Sequence, residues 1–162
     1  MNFVKVSTPN EIKVVSELAY LLFPLDYGAY IRKSHIIYFL DKYQSESAIA
    51  KQIERGFEYY IIQNNEEVMG YIGFEIKHES LKLSKLYLNL NARGKGVGAE
   101  AMHWLKEYAI QKKCANIELL VLEENKNAIR FYERLGYKKV GVFEEHFKTG
   151  YSEVNNRMIQ KL

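Results

Sequence analysis

An arginine and three alternating glycines join an apolar strand to an amphipathic helix. The strand pattern ends near Leu90, and Arg93-Gly94-Lys95-Gly96-Val97-Gly98 leads directly into the helical pattern. Glycine has no Cβ that would hold a phosphate away from the backbone. The first amides of a helix have no internal acceptors and carry the positive end of the helix dipole. We therefore expect the stretch from Arg93 to Gly98 to bind an anion.

Two familiar phosphate-binding patterns fit this loop poorly. In a Walker loop the Gly-Lys pair is followed by Ser or Thr, whereas Gly96 follows Lys95 here. The stretch from Gly94 to Ala99 satisfies a relaxed dinucleotide-binding fingerprint, which needs a doubly wound parallel sheet around it. Two predicted antiparallel hairpin turns precede the glycines and one parallel crossover follows them, so the context argues against that fold.

The elements that would position the loop form a mixed sheet with helical connections. The predicted fold class is α/β, with a mixed (α+β) sheet and the element order βααβββαβαββ. Helices are predicted from a capping box at Thr8 to near Pro24, from Ser45 to Gly56, after the glycines, and from Asn125 to Leu135. Strands are predicted at Phe3 to Val6, Phe57 to Gln63, Val68 to Lys77, Leu81 to Leu90, Asn116 to Leu122, Tyr137 to Phe143 and Val154 to Lys161.

Four segments carry more specific expectations. The aromatic stretch from Pro24 to Lys42 is neither clearly loop nor clearly helix. Val68 to Lys77 alternates so that one face is apolar and the other mixed. The leucines change phase around Ser84-Lys85, which predicts a β-bulge. Asn116 to Leu122 is a nearly unbroken apolar run, which is typical of a strand covered on both faces.

Length and composition limit the classes of protein. The 162 residues contain no linker-like stretch, so residues 1–162 are predicted to form a single domain. A net charge of +3 with scattered basic residues argues against a nucleic-acid partner. No apolar run reaches the roughly 20 residues of a membrane helix, so we expect a cytoplasmic chain without a membrane partner. The single Cys114 fits a small hydrophobe in a reducing compartment.

Asn125 and Tyr132 lie downstream of the glycines and have side chains that are able to act on a ligand. Asn125 follows the apolar strand, and Tyr132 lies seven residues later, two turns along the same helix face. The amide of Asn125 offers hydrogen-bonding groups at the strand end. A phenol with an ordinary pKa of about 10 is protonated at neutral pH and is able to donate a proton.

Together these motifs resemble those of the GNAT superfamily of N-acetyltransferases. Arg93 to Gly98 is similar to its Arg/Gln-x-x-Gly-x-Gly/Ala signature, and Asn125 to Tyr137 is similar to Asn-x-x-Ala-x-x-x-Tyr-x-x-x-Gly-Phe. The resemblance implies acetyl-CoA as cosubstrate, no metal, and Tyr132 as the acid that protonates the leaving thiolate. It also implies that main-chain groups of the bulged strand pair with the pantetheine arm. The implied cofactor-binding residues are Leu86, Tyr87, Leu88, Arg93, Gly94, Lys95, Gly96, Val97, Gly98 and Asn125.

The sequence departs from the family at the general base. Many members carry a carboxylate on the strand before the signature, at a position that falls on Lys82 or Ser84 here. Neither side chain is that base. The remaining candidates are Glu75, His78 and Glu79, or ordered water that ends at one of them.

The acceptor is read from a looser resemblance to bacterial polyamine N-acetyltransferases. It rests on the segment from Tyr38 to Glu46 and on the arrangement from Phe143 to Met158. A cationic small-molecule amine would need acidic and aromatic partners, with cation-π contacts from tyrosines. Candidates are Tyr27, Tyr30, Tyr38, Asp26, Asp41 and Glu75. A protein N-terminal acetyltransferase and a non-catalytic acetyl-CoA sensor are the alternatives, and the chain is expected to be a monomer or a homodimer.

Overall fold

The structure is a computed structural model that describes residues 1–162 and contains seven strands and five α-helices. The strands are β1 (Asn2–Lys5), β2 (Glu58–Asn64), β3 (Glu67–Lys77), β4 (Ser80–Leu88), β5 (Asn116–Leu122), β6 (Lys138–His146) and β7 (Ser152–Lys161). The helices are α1 (Pro9–Tyr27), α2 (Lys33–Tyr43), α3 (Glu46–Glu54), α4 (Val97–Gln111) and α5 (Lys126–Arg134). No helix combines the length and the apolar character that a membrane span requires.

The strands form one mixed sheet, which confirms the predicted fold class. Their order is β1-β2-β3-β4-β5-β7-β6. β4 and β5 run parallel, while the β1–β2, β2–β3, β5–β7 and β6–β7 pairs are antiparallel. The element order contains one helix more than predicted, because the segment before Lys42 folds as α2.

Two tight turns join β2, β3 and β4 as the sequence predicts. Asn65 and Glu66 have φ values of 49° and 71°, and His78 and Glu79 have values of 48° and 59°. Two consecutive residues with positive φ are typical of the type I′ turn, whose twist matches that of antiparallel strands. All four turn residues are polar and exposed at the tips of the two hairpins.

One compact unit comprises Met1–Glu75 and Lys85–Ala101. Its first helix begins with the predicted capping box, because the Thr8 hydroxyl accepts from the Glu11 amide and the Glu11 carboxylate accepts from the Thr8 amide. The prediction that this helix ends near Pro24 is wrong, since α1 continues to Tyr27. Proline removes a single backbone donor, and the Gly28 N–H still donates to the Pro24 carbonyl at 2.9 Å.

Helix α2 is held in this unit by a buried glutamine that follows it. Gln44 is 1% exposed, and its backbone carbonyl accepts from the Ser16 hydroxyl at 2.7 Å. Its side chain donates to the Tyr59 hydroxyl at 3.0 Å and accepts from the Tyr71 hydroxyl at 2.9 Å. These long-range contacts satisfy a buried amide, and they order a segment whose local pattern is ambiguous.

Strands β3 and β4 add detail to the predicted pattern. β3 is buried on both faces in its middle, from Met69 to Phe74, so its mixed face is covered as well. β4 ends at Leu88, and Leu90–Ala92 forms a 3₁₀ turn. The buried residues of β4 are Leu81, Leu83 and Tyr87, which are all odd-numbered and so fit one unbroken alternation. The predicted change of phase, in which Leu86 and Leu88 would be the buried residues, is not seen in the burial. A bulge in β4 stays a prediction, and the register shift seen in β2–β3 lies at Ile62/Gln63.

The second compact unit comprises Ile76–Ser84 and Met102–Leu162. Leu105, Ile117 and Met158 are fully buried in its core. The prediction that β5 is covered on both faces is wrong, since Leu120 is 48% exposed. No residue of α5 is fully buried either, although its predicted apolar side is half-buried.

Candidate functional site

The glycine loop presents backbone to open space. Gly94 and Gly96 have φ values of +72° and +82°, a region that other residues enter at a cost. A Cβ built at either glycine would meet no atom within 4 Å. The Gly96 carbonyl accepts from the Glu100 N–H at 3.0 Å, so α4 starts directly after the loop and its first amides lack helical acceptors. This arrangement suits an anion, and its identity as a pyrophosphate stays a prediction.

The loop is fixed at both ends. Ala92 and Val97 are buried on either side of the exposed stretch that contains Lys95. Before it, Asn89 donates from its backbone to the Met69 carbonyl at 2.8 Å and from its side chain to the Val68 carbonyl at 2.7 Å. Because the glycines lie between anchored residues, the protein's own contacts hold their unusual backbone geometry.

Arg93 is already engaged within the protein. One terminal nitrogen of its guanidinium lies 2.7 Å from Asp26 Oδ1, and its Nε donates to the Leu88 carbonyl at 3.0 Å. Burial raises the pKa of Asp26 above its ordinary value, and the Arg93 guanidinium offsets part of that rise. Asp26 lies in the last turn of α1, beyond the proline where sequence reasoning ended the helix. Arg93 therefore ties α1 to the end of β4, and any contact with a phosphate is additional.

The end of β4 lies in a cluster of aromatic rings. Tyr87 contacts Phe23, Tyr27 and Tyr71, with ring centroids 6.2, 6.4 and 5.5 Å away. Burial raises its pKa well above the ordinary value, and neighbouring Tyr27 and Tyr71 raise it further. The Tyr87 side chain is thus part of the core, and what this residue offers a ligand is main chain.

Close backbone packing also shapes this strand end. A Cβ added at Gly70, whose φ is +158°, would lie 2.1 Å from the Tyr87 carbonyl oxygen. On the other side of β4, the parallel register with β5 covers only Ser80–Leu83 against Asn116–Leu119. The predicted pantetheine-binding residues, Leu86, Tyr87 and Leu88, follow the last of these pairs.

The predicted acceptor-binding groups lie in the first unit and several have partners. Tyr38 accepts from Lys42 Nζ at 3.0 Å, and the same ammonium lies 5.4 Å from its ring centroid. Tyr27 packs against Phe23 at 4.8 Å. Asp41 accepts from the Tyr20 hydroxyl at 2.7 Å. Tyr30 is 38% exposed on the turn after α1, and Glu75 is half-buried.

The second unit carries Asn125 and Tyr132. Asn125 caps α5, because its Oδ1 accepts from the Ala128 N–H at 3.2 Å, which leaves its amide nitrogen to donate elsewhere. The half-buried Tyr132 ring contacts Phe131 at 5.1 Å and Tyr137 at 5.7 Å. The Tyr137 hydroxyl is buried without a hydrogen-bond partner, and burial raises its pKa.

A carboxylate that sequence reasoning missed lies beside Lys82. Glu118 on β5 is 3.2 Å from Lys82 Nζ and 2.6 Å from a terminal nitrogen of Arg157. Burial raises the pKa of Glu118, but its hydrogen bonds and attraction to Arg157 and Lys82 prevail, so the net shift is downward. A carboxylate stabilised in this way is a weak base. The register Lys82↔Glu118 makes this pairing, and nothing local in the sequence indicates it.

The structure also shows where the other candidate bases and the single cysteine lie. His78 and Glu79 form the exposed hairpin turn, and the Glu79 carbonyl accepts from the Ala115 N–H at 2.7 Å. Cys114 is 7% exposed, and burial together with the Glu79 charge raises its pKa. The thiol is therefore a structural hydrophobe, as predicted, rather than an activated nucleophile.

These observations agree with a family match. Residues 26–137 match the family model described as Acetyltransferase (GNAT) family. The chain belongs to this family of acetyltransferases. An uncharacterised N-acetyltransferase of Methanocaldococcus jannaschii is 29% identical over 98 residues, which cover 56% of this chain and 42% of that protein. The match thus spans less than half the length of this relative.

Solved structures share the fold across the whole chain. The PaiA N-acetyltransferase of Thermoplasma acidophilum, in complex with coenzyme A, has a TM-score of 0.81 at 17% identity, with 100% of both chains covered. The Escherichia coli ribosomal-protein-S18-alanine N-acetyltransferase has a TM-score of 0.74 at 14% identity and 99% and 92% coverage. A chimera of the spermidine N-acetyltransferase SpeG from Vibrio cholerae and hSSAT has a TM-score of 0.74 at 18% identity and 99% and 96% coverage.

Proposed function

We propose that the chain transfers the acetyl group of acetyl-CoA to a primary amine. The observation that carries this proposal is the anchored glycine loop at the start of α4, whose positive φ angles and open surroundings suit a pyrophosphate. Gly94, Lys95, Gly96, Val97 and Gly98 hold it through backbone amides. The main chain of Leu86, Tyr87 and Leu88 and the amide of Asn125 hold the pantetheine arm. Arg93 supports the loop from its ion pair with Asp26.

The transfer is direct attack of the amine on the thioester within a ternary complex. The chain has one cysteine, which is buried and whose pKa is raised by that burial, so it is poorly suited to form an acetyl-enzyme. Tyr132 gives a proton to the departing CoA thiolate. Initial velocities that give intersecting reciprocal plots are expected, whereas parallel lines would indicate a covalent intermediate.

The amine must lose a proton before it attacks. An alkylamine with a lysine-like pKa of about 10.4 is mostly charged at neutral pH, and its deprotonation costs about 4.6 kcal/mol. Lys82 and Glu118 neutralise each other, and His78 and Glu79 lie in an exposed turn. We therefore assign the deprotonation to ordered water. Glu75 is the side chain that we would test first as a base. An unchanged pH profile of kcat/KM in Glu75→Gln would exclude Glu75.

A polyamine is the first acceptor to test, and the structure gives reasons to test others beside it. Asp26 is paired with Arg93, Asp41 accepts from Tyr20, and Tyr38 already contacts Lys42. Three of the groups expected to bind a cationic chain thus have partners within the protein. A protein N-terminus, as in the ribosomal-protein-alanine enzymes that share the fold, is the alternative acceptor.

A single assay separates these possibilities from a non-catalytic sensor. Release of free CoA thiol is measured with spermidine, spermine, an aminoglycoside and an N-terminal alanine peptide, and CoA binding is measured by calorimetry. Thiol release with one amine class supports the proposal and names the acceptor. Binding of CoA without thiol release across the panel favours a sensor, and absence of CoA binding overturns the assignment of the loop.

A further inference from the structure

Asn156 on β7 carries a buried amide oxygen that no group of the protein satisfies. The side chain is 5% exposed, and its Oδ1 is buried without a hydrogen-bond partner. Its neighbours in register, Val121 on β5 and Val142 on β6, are apolar. Gln44, by contrast, has partners for both its side-chain oxygen and its side-chain nitrogen. Because an unpaired buried acceptor keeps the cost of leaving water, Asn156 is an exception that needs a physical reason.

Asn156 lies on the face of the sheet that α5 covers. Side chains alternate between the two faces of a strand, so Asn156 shares its face with Met158 and Gln160. Met158 is fully buried there. Gln160 Nε2 donates to the Leu135 carbonyl at 2.7 Å, just beyond the end of α5. The Asn156 amide is therefore directed to the side of β7 on which α5 packs.

The lengths of the two elements place Asn156 level with the start of α5. The helix returns from the end of β5 and so runs in the same direction as β7, which is antiparallel to β5. From Gln160 back to Asn156 the strand covers about 13 Å at about 3.3 Å per residue. At about 1.5 Å per residue, the same length of helix leads from Leu135 back to Lys126, the first residue of α5.

The hydrogen bonds at the end of β5 agree with this placement and bring in Asn125. Asn155 pairs with Leu122, and the Asn125 N–H donates to the Leu122 carbonyl at 2.9 Å. Asn125 Oδ1 is used as the cap of α5, where it accepts from the Ala128 N–H at 3.2 Å. The amide oxygen of Asn156 is thus the acceptor that stays available at this end of β7, next to the residue that we assign to the pantetheine arm.

We propose that Asn156 binds the pantetheine arm of acetyl-CoA, with Oδ1 accepting a hydrogen bond from an amide N–H of the arm. The pantetheine arm contains secondary amides, and each offers one N–H donor and one carbonyl acceptor. The inference rests on the proposed function, because it assigns a further residue to the same cosubstrate. Asn156 acts on the arm, whereas the glycine loop acts on the phosphates, so the two contributions are separable.

Calorimetry with two ligands separates Asn156 from the glycine loop. Asn156→Leu replaces the amide with an apolar side chain of the same branching, and Asn156→Ala removes it without added volume. In both variants the Kd for CoA should rise about tenfold. The Kd for adenosine 3′,5′-bisphosphate, which lacks the arm, should stay unchanged. The melting temperature of ligand-free Asn156→Leu should be equal to or above that of the wild-type protein, because an unpaired buried acceptor is lost.

Asn155→Leu and Tyr137→Phe are the matched controls, and both should bind CoA as the wild-type protein does. Asn155 is the neighbouring asparagine on the opposite face of β7, where its amide donates to Glu153 at 3.3 Å. The Tyr137 hydroxyl is, like Asn156 Oδ1, buried without a partner.

Three results would contradict the assignment or its premise. Equal CoA affinity in the wild-type protein and both Asn156 variants would overturn the inference and leave the proposed function intact. Weaker binding of both ligands with a lower melting temperature would also overturn it, since Asn156 would then support the fold rather than the arm. Absence of CoA binding by the wild-type protein would overturn the proposed function itself.

Discussion

Arg93 and Asp26 form an ion pair with a 2.7 Å contact at the entrance to the glycine loop. Arg93 also donates to the Leu88 carbonyl, so one guanidinium joins the last turn of α1 to the end of β4. The residue that the family signature assigns to the phosphate therefore has a second task, which is to hold the strand end and the loop in register.

Asp26→Asn should weaken acetyl-CoA binding through this contact. Loss of a charge-assisted hydrogen bond leaves Arg93 mobile, so we expect KM for acetyl-CoA to rise about tenfold with little change in kcat. Asp41→Asn is the matched control, since it removes a carboxylate from α2 that accepts from Tyr20. Arg93→Lys keeps the charge but loses the Nε bond to Leu88. An unchanged KM in both Asp26→Asn and Arg93→Lys would show that the tie is dispensable.

Gly96→Glu should abolish CoA binding while the fold remains. The new carboxylate would enter the space in front of α4 and repel the pyrophosphate, so calorimetry should show the Kd for CoA raised by at least about a hundredfold. Gly150→Glu is the control, because Gly150 has a φ of +80° and the same open surroundings in the β6–β7 loop. Because both positions have a positive φ, the two substitutions should lower the melting temperature by similar amounts. Equal CoA affinity in the two variants would refute the anion site.

Tyr132→Phe tests the general acid. General acid catalysis contributes about 10²- to 10⁴-fold, so we expect kcat to fall at least about a hundredfold with KM for acetyl-CoA nearly unchanged. Tyr137→Phe removes the neighbouring hydroxyl, which is buried without a partner, and should keep full activity and equal or slightly higher stability. Similar kcat values for Tyr132→Phe and the wild-type enzyme would exclude Tyr132 as the general acid and indicate that its ring contributes packing.

Glu118 should make the free energy of unfolding depend on pH in the acidic range. Its folded-state pKa is lowered, so its stabilising contribution is complete above its unfolded pKa of about 4.3 and is lost as pH falls through the folded pKa. Glu118→Gln should cost about 1–2 kcal/mol of unfolding free energy at pH 7, and this difference should shrink below about pH 4.

Urea unfolding at several pH values measures the effect of Glu118→Gln. The control is Glu17→Gln, which removes an exposed carboxylate that lies 3.8 Å from Lys13 on α1 and should cost less than about 0.5 kcal/mol. A penalty for Glu118→Gln that is equal at pH 7 and pH 3 would mean that the amide fails for steric reasons rather than electrostatic ones.

Local chemistry made much of the fold predictable. The capping box at Thr8, the Ser45 cap and the two hairpin turns depend on side chains within four residues of each other, and all were found where expected. The α2 helix and the continuation of α1 past Pro24 were not predicted. These segments are stabilised by distant partners, namely the Gln44 network and the Asp26–Arg93 ion pair.

The candidate site divides in the same way. The glycine loop was readable because consecutive residues build it. The partners of Arg93 and Lys82 were not, since helix packing and sheet register decide them. The roles assigned to Asn125 and Tyr132 stay predictions until the variants above are measured.

The burial of Cys114 has a practical consequence. The product that every acetyl transfer would release is a thiol, and the chain itself carries one cysteine. Because that side chain is 7% exposed and its pKa is raised, we expect it to react slowly with disulfide reagents. A colorimetric thiol reagent added to the native enzyme will therefore count liberated CoA with little background from the protein, and a delayed second phase will mark its unfolding.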